Sequence, residues 1–435
     1  MEKNNGTPFY KNIATKKKPK KVVQPQNKSV PKKGSPATKK ERSAAYPYKI
    51  TSSLFGRIPA DASSFLNNFD SAIQSVYPLS AKQLQQLPKN INELSHQLTD
   101  ERSDRRLGYM NSQINLLAYA HYFQWWNLYR FTSLFSSFPE DAFGLLKSNS
   151  FALDIGSGPL TIPIALWLSR PELRNLNLTF YVLDISQTAL KLGEELFLSA
   201  AAACPASNNS DPWKIVRVKG NITTEIKQKV SFVTCGNMFN ELIQNSEKSL
   251  IALSKEYTRT LLSYADKNAA VLVIEPGIPK DSHFVSLLRN NFVKNGFSVM
   301  APCSHCEHCP MGGANSKKWC HFTLDTKYAP KKLTELSTAA FLPKEDVTLS
   351  FVFASNFKKL PEKSYLTLRV FSNVIKLPGG IVGRYACSVL GLVLVTGSPT
   401  LKLKSGVELL ISISPENANK LPIDIKSGAY VINIG

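Results

Sequence analysis

Phe151-Ala-Leu-Asp-Ile-Gly-Ser-Gly-Pro-Leu-Thr161 is the stretch from which the rest of the chain can be laid out. Phe151 to Ile155 is a short apolar run of the kind buried in a parallel sheet. Gly156 and Gly158 let the backbone turn sharply and lie close against a ligand. A helix is expected to open at about Leu160, so that its free N–H groups and positive dipole end face the turn. A second apolar run, Leu178-Thr-Phe-Tyr-Val-Leu183, ends in Asp184, where a carboxylate grips a pair of ribose hydroxyls in a Rossmann-like sheet. Thr161 stands where G-x-G-x-x-G needs Gly or Ala, which argues against a pyrophosphate cradle. The expectation is a nucleoside-type pocket with Asp154, Gly156, Gly158 and Asp184 around it.

From Phe151 to about Pro302 apolar strands and helical stretches alternate, the pattern of a doubly wound α/β sheet. Further strands are expected over Trp213–Val218, Ser231–Cys235 and Ala269–Ile274. Helices fit between them at Leu160–Ser169, Gln187–Ala202, Ser246–Tyr264 and His283–Asn295. An Asp-x-Gly-x-Gly turn with an acid closing the next strand resembles a class I, S-adenosylmethionine-dependent methyltransferase. Met238-Phe-Asn-Glu-Leu242 follows the fourth strand, on the rim where this fold places acceptors, so Asn237, Asn240 and Glu241 are candidates to line the pocket. No Asn/Asp-Pro-Pro-aromatic box is present, as an exocyclic-amine acceptor would lead one to expect. Cys235 has the position of a nucleophile for base-carbon methylation, but a small buried cysteine at a strand end is the commoner use of that position.

The chain has 435 residues, 43% of them apolar, enough for two or three domains with a sizeable core. Its net charge is +21, and residues 1 to 50 carry 14 Lys or Arg against 2 acids, so +12 lies at one end and +9 in the rest. Met1 to about Tyr46 is rich in Lys, Pro, Ser and Asn and is expected to be a disordered tail. Its lysine runs, Lys16 to Lys21 above all, would lie along phosphates without reading sequence, so a polyanion, with rRNA foremost, is the expected partner. No signal peptide and no run of about 18 uncharged apolar residues occurs, which excludes a helical membrane span. The tail carries Glu2 and lacks the Arg-rich look of an organelle transit peptide, pointing to a bacterial-type cytoplasm.

Residues 47–148 read as a helical domain. Within it Tyr109 to Phe138 is aromatic on most faces, the mark of a buried helix, although aromatics beside Arg102, Arg105 and Arg106 would also suit base stacking.

Four of the seven cysteines fall between 303 and 320: Cys303, Cys306 and Cys309, then Cys320 in Trp319-Cys-His-Phe322. In a reducing compartment that density points to a metal site rather than to disulfides. C-x2-C-x2-C resembles runs that hold iron–sulfur clusters; zinc would be content with four of these groups, including His305, His308 or His321. Residues 345–435 show five short strands separated by Gly/Pro turns (Val347–Phe353, Tyr365–Phe371, Gly383–Val395, Val407–Ile413, Ala429–Ile434), which suggests a small OB-like β-barrel.

Over residues 50 to 435 the chain resembles the methyltransferase-like assembly factors of the small ribosomal subunit, found in mitochondria and in bacterial relatives. The resemblance rests on Leu117-Ala-Tyr-Ala-His-Tyr-Phe-Gln-Trp-Trp-Asn-Leu-Tyr129, Asp154-Ile-Gly-Ser-Gly158, Asn240-Glu-Leu242, the Pro-Cys…Cys-Pro stretch, Trp319-Cys-His-Phe322 and Arg384-Tyr-Ala-Cys387. It implies a class I methyltransferase domain over 149–300 that binds S-adenosylmethionine through Asp154, Gly156, Gly158, Asp184 and Asn240. It implies a cysteine-rich segment, 301–344, completing the sheet. It also implies a [4Fe–4S] cluster on Cys303, Cys309, Cys320 and Cys387, with Cys306 a fifth thiol that the pattern does not require. The partner implied is rRNA of the small subunit, with neither a membrane nor DNA. The location implied is the cytoplasm in bacteria or the mitochondrial matrix in a eukaryote. The alternative is a catalytically active rRNA methyltransferase. A radical S-adenosylmethionine enzyme does not fit, because C-x3-C-x2-C is absent and the cysteines follow the glycine turn.

Overall fold

The apolar runs around the glycine turn become the middle of a mixed sheet. The computed structural model describes residues 45–99, 108–244, 246–312, 317–357, 365–401 and 403–435. The lysine runs of the tail and Arg102, Arg105 and Arg106 lie outside these residues. The strands are β1 (Tyr48–Ser53), β2 (Phe151–Ile155), β3 (Thr179–Asp184), β4 (Lys214–Lys219), β5 (Val230–Gly236), β6 (Ala265–Pro276), β7 (Ser298–Ala301) and β8 (Phe322–Asp325), then β9 (Asp346–Ser355), β10 (Leu366–Val370), β11 (Ile375–Lys376), β12 (Val382–Ser388), β13 (Gly391–Gly397), β14 (Val407–Ile411) and β15 (Tyr430–Asn433). The helices are α1 (Ala60–Asn67), α2 (Phe69–Val76), α3 (Ala81–Thr99), α4 (Gln113–Ala118), α5 (Trp125–Phe135), α6 (Thr161–Ser169), α7 (Pro171–Arg174), α8 (Gln187–Ala203), α9 (Phe239–Leu242), α10 (Leu250–Tyr264), α11 (Pro279–Lys294) and α12 (Lys331–Ala339).

The first sheet runs β4-β3-β2-β5-β6-β9-β7, with β8 also paired to β9. β4, β3, β2, β5 and β6 pair in parallel, and β9 lies antiparallel between β6 and β7. That order, reversing between β2 and β5, is a class I methyltransferase-like fold, and its ligand crevice lies at the carboxyl ends of β2 and β5. β9 is the strand expected at Val347–Phe353 as part of the C-terminal unit; it belongs to this sheet instead. Its residues from Leu349 to Ser355 are buried without alternation, as an interior strand covered on both faces requires.

The second sheet runs β1-β14-β10-β12-β13-β15. It is open, not a closed barrel: β1 and β15 form its edges, β15 parallel to β13 and β1 antiparallel to β14. The expected strand Gly383–Val395 is a hairpin, β12 and β13, turned just before Gly391 at φ +93°. β1 comes from the segment expected to be helical throughout.

The N-terminal helices do not have a core of their own. Phe65, Phe69 and Trp125 belong to one apolar cluster with Leu160, Phe197, Phe351 and Cys387. The aromatic helix is core: Trp125 Nε1 donates to Leu66 O (2.7 Å), Trp126 Nε1 to Ser337 Oγ (3.1 Å) and Tyr122 OH to Leu342 O (3.0 Å). These bonds satisfy the polar tips of the buried rings. Among the described residues no helix is long and apolar enough to cross a membrane.

Candidate functional site

The glycine turn between β2 and α6 is held from three sides. Gly156 and Gly158 adopt φ +66° and +51°, and Leu160 enters α6 at φ +57°. A Cβ on Gly156 would stand 2.7 Å from Met238 Cγ. α8 presses against the turn through Gly193, whose Cβ would meet Pro159 C at 2.5 Å. Gln124, at the end of a π-helical turn over Tyr119–Gln124, donates from Nε2 to Pro159 O at 2.6 Å. Such π-turns often sit at functional sites.

Two carboxylates complete the turn. Asp154 is buried and accepts from Ser157 Oγ and Thr234 Oγ1, each at 2.6 Å. Burial pushes its carboxyl up to about 7; the two hydroxyls oppose the shift and nearby Asp184 adds to it. Asp184, at the end of β3, accepts from Gly158 N (2.9 Å) and Ser186 N (2.8 Å). Burial raises its carboxyl too, against the lowering effect of those backbone N–H groups.

Beside the turn lies a crevice of two adjoining lobes. Gly156, Asp184, Met238, Glu241, Tyr109 and Met110 border both. Asn221 and Ile222, after β4, line the larger lobe; Asp154, Gly158, Tyr119, Phe131 and Asn237 line the smaller. Of the residues expected here, Asp154, Gly156, Gly158, Asp184, Asn237 and Glu241 come together. Asn240 does not border the crevice. Its N–H donates to Glu275 Oε2 at 3.0 Å and its buried Oδ1 has no partner. Glu275 also accepts from Met238 N and Phe239 N, and so caps the short α9. Cys235 is buried outside the crevice, and burial holds its thiol well above the usual range.

Sequence reasoning missed Gly108-Tyr109-Met110, Tyr119 and Asn221. Gly193 carried a signal, since an isolated glycine within a helical pattern marks close backbone approach. Tyr109 carried none: it reaches the crevice by tertiary packing from a loop 47 residues before Gly156.

A second cavity lies between the two sheets. Cys303 and Cys309 reach it from the loop after β7, Cys320 from just before β8, and Cys387 from β12 of the second sheet. Phe322, Phe351, Phe371 and Met311 give it apolar walls, to which Arg289 and Arg369 add two cations. Cys306 is not on the wall; its Sγ accepts from Val299 N at 3.4 Å. His305 Nε2 lies 3.3 Å from Cys387 Sγ, while His321 stacks on Trp319. All seven cysteines are free. The four thiols surround a space rather than converge on a point: among the described residues no three His, Cys, Asp or Glu side chains stand close enough to hold one ion. Burial and then neighbouring thiols push Cys309 up to about 11 and Cys320 and Cys387 well above the ordinary range.

No curated protein matches the chain. Among solved structures, it is similar to the plantazolicin methyltransferase BpumL, described in complex with a monoazolic desmethylPZN analog and SAH, at 12% identity over 64% of this chain and 98% of that one (TM-score 0.32). It is similar to a SAM-dependent methyltransferase from Geobacter sulfurreducens in complex with S-adenosyl-L-homocysteine, at 12% identity over 50% and 87% (TM-score 0.29). An rRNA methylase from Streptococcus thermophilus is similar at 10% identity over 50% and 94% (TM-score 0.26). The family described as mitochondrial small ribosomal subunit Rsm22 matches residues 147–383, from just before β2 into β12. That span exceeds half of the 435 residues and contains the glycine turn, Asp184, the Met238–Leu242 side of the crevice and three of the four cysteines on the cavity wall. The chain belongs to the mitochondrial small ribosomal subunit Rsm22 family.

Proposed function

We propose that the chain is an rRNA-binding assembly factor of the small ribosomal subunit that keeps a methyltransferase fold, an S-adenosylmethionine pocket and a structural [4Fe–4S] cluster. The observation that carries the reading is the cavity walled by four thiols from both sheets in a chain of this family. Thiols set around a space suit a polynuclear centre, whose ligands bind separate irons. A single zinc needs all four to meet about 2.3 Å from one point. Cys303, Cys309, Cys320 and Cys387 would hold the cluster, and its binding energy would partly be folding energy, fastening the second sheet to the first. Cys306, turned toward β7, is outside the set.

In the crevice, Asp184 would take the ribose hydroxyls and the turn at Gly156–Gly158 would lie along the amino-acid end of the cofactor. When bound, S-adenosylmethionine supplies an activated methyl group. Asn240 belongs to this site only through its backbone bond to Glu275. The tail over 1–46 adds sequence-independent phosphate contacts, while the helices over 47–148 and the β-rich part over 345–435 set the placement on rRNA. Family membership supports the small subunit as partner, in the mitochondrial matrix for a eukaryotic source and in the cytoplasm for a bacterial one.

A second reading, an active rRNA methyltransferase, is favoured by the smaller lobe, where Tyr119, Phe131 and Glu241 wall a space beside the turn. One set of reactions separates the two. Tritium-labelled S-adenosylmethionine and small-subunit RNA are incubated with the full chain and with a chain lacking Met1–Lys40, across a salt series. The assembly-factor reading expects cofactor bound but no label in RNA, with RNA affinity and its salt slope reduced by truncation. Label in RNA, abolished by Asp184→Ala, establishes the enzyme instead. Equal RNA binding by both chains at every salt concentration removes the tail from the account.

A further inference from the structure

The wall of the cysteine-lined cavity carries a cation that, among the described residues, no carboxylate pairs with. Arg289, on α11, is 3% exposed. Its Nη2 donates to His305 O (2.8 Å) and its Nη1 to Asn290 Oδ1 (3.0 Å), while its buried Nε has no partner. Among the described residues no carboxylate pairs with it. Arg369, also lining the cavity, shows the usual solution. It pairs with Glu408 Oε2 at 2.7 Å and donates to Pro302 O and Gly406 O at 2.9 Å each. A buried guanidinium without an anion is costly, and the neighbouring apolar walls offer it nothing. Four thiolates outweigh the positive charge of an iron–sulfur core or of a zinc ion, so the loaded cavity is net negative.

We infer that Arg289 is the counter-charge for a net-anionic, thiolate-held centre in this cavity, a positioning residue that governs how firmly the centre is retained and how readily it takes an electron. The inference rests on the proposed cluster. It adds a requirement for charge at 289, distinct from the hydrogen bond that ties the guanidinium to the His305 carbonyl.

The full chain is purified anaerobically as wild type, Arg289→Lys and Arg289→Gln. Iron, labile sulfide, zinc, thiolate-to-iron absorption, midpoint potential and melting temperature are measured on each. Lysine keeps the charge; glutamine keeps a donor for the carbonyl without it. The expected result is a loaded wild type and Arg289→Lys, with folded Arg289→Gln losing most of its iron or holding a cluster of lower midpoint potential. Glutamine protein with wild-type loading and potential overturns the inference while leaving the cluster in place. Should the glutamine protein not fold, Arg289→Lys decides: full loading supports the charge requirement, and loss of the centre from folded protein contradicts it. A wild type carrying only zinc ends the cluster reading, and the inference is then judged on zinc: loss in Arg289→Gln supports it and retention overturns it. A wild type free of iron, sulfide and zinc ends both.

Discussion

Asp154 shows how the glycine turn couples a buried charge to stability. Its carboxyl is raised by burial to about 7, whereas an unfolded chain releases the proton near 4. Between those values the folded protein binds more protons than the unfolded one, so this group's contribution falls as pH rises and levels off above about 7. Asp154→Asn lacks the titration. Between pH 5 and 7 its stability relative to wild type is expected to rise by about 2–3 kcal/mol, at 1.36 kcal/mol per pH unit. Denaturant titrations of both proteins at several pH values check this; a constant difference contradicts it. The residues around the turn were legible because their chemistry is local: glycines at positive φ, an acid at a strand end. Asn240 lies off the crevice, on the short α9 whose first N–H groups Glu275 caps, a long-range contact that no local pattern carries. Cys387 was not legible from spacing. It lies 67 residues beyond Cys320, and only the packing of β12 brings it to the same cavity.

At the scale of elements, α8 is the support on which the turn rests. Gly193 costs this helix about 1 kcal/mol in propensity relative to alanine, so Gly193→Ala on an open surface would stabilise it. Here the added Cβ would stand 2.5 Å from both Pro159 C and Leu160 Cδ1. The expected outcome is a net loss of about 1–2 kcal/mol with weaker S-adenosylmethionine binding, as overpacking displaces the turn. Thermal melts and equilibrium binding measure it, and a raised melting temperature would refute the support role. Between Phe151 and Asn295 the five strands and four helices expected from the sequence fall within a few residues of their place, because period and length are carried by each segment alone, while the short α7, α9 and β7 had no expectation. Sheet membership is not. Which sheet receives β9, and whether a β-rich segment closes, depend on partners far away in the chain, so β9 moved to the first sheet and the expected barrel stayed open.

Across the whole molecule, the two sheets meet at the cysteine cavity, with three thiols on the side of the first sheet and Cys387 supplied by the second. If a cluster occupies that cavity, it fastens the second sheet to the methyltransferase-like layer. The most direct measurement is iron, labile sulfide and zinc on anaerobically purified wild type, Cys303→Ser, Cys306→Ser and Cys387→Ser. The account predicts brown protein with about four irons and four sulfides, lost in the Cys303 and Cys387 variants and kept in Cys306→Ser. Colourless protein with about one zinc, unaffected by Cys387→Ser, would contradict it and leave a zinc loop that does not join the sheets.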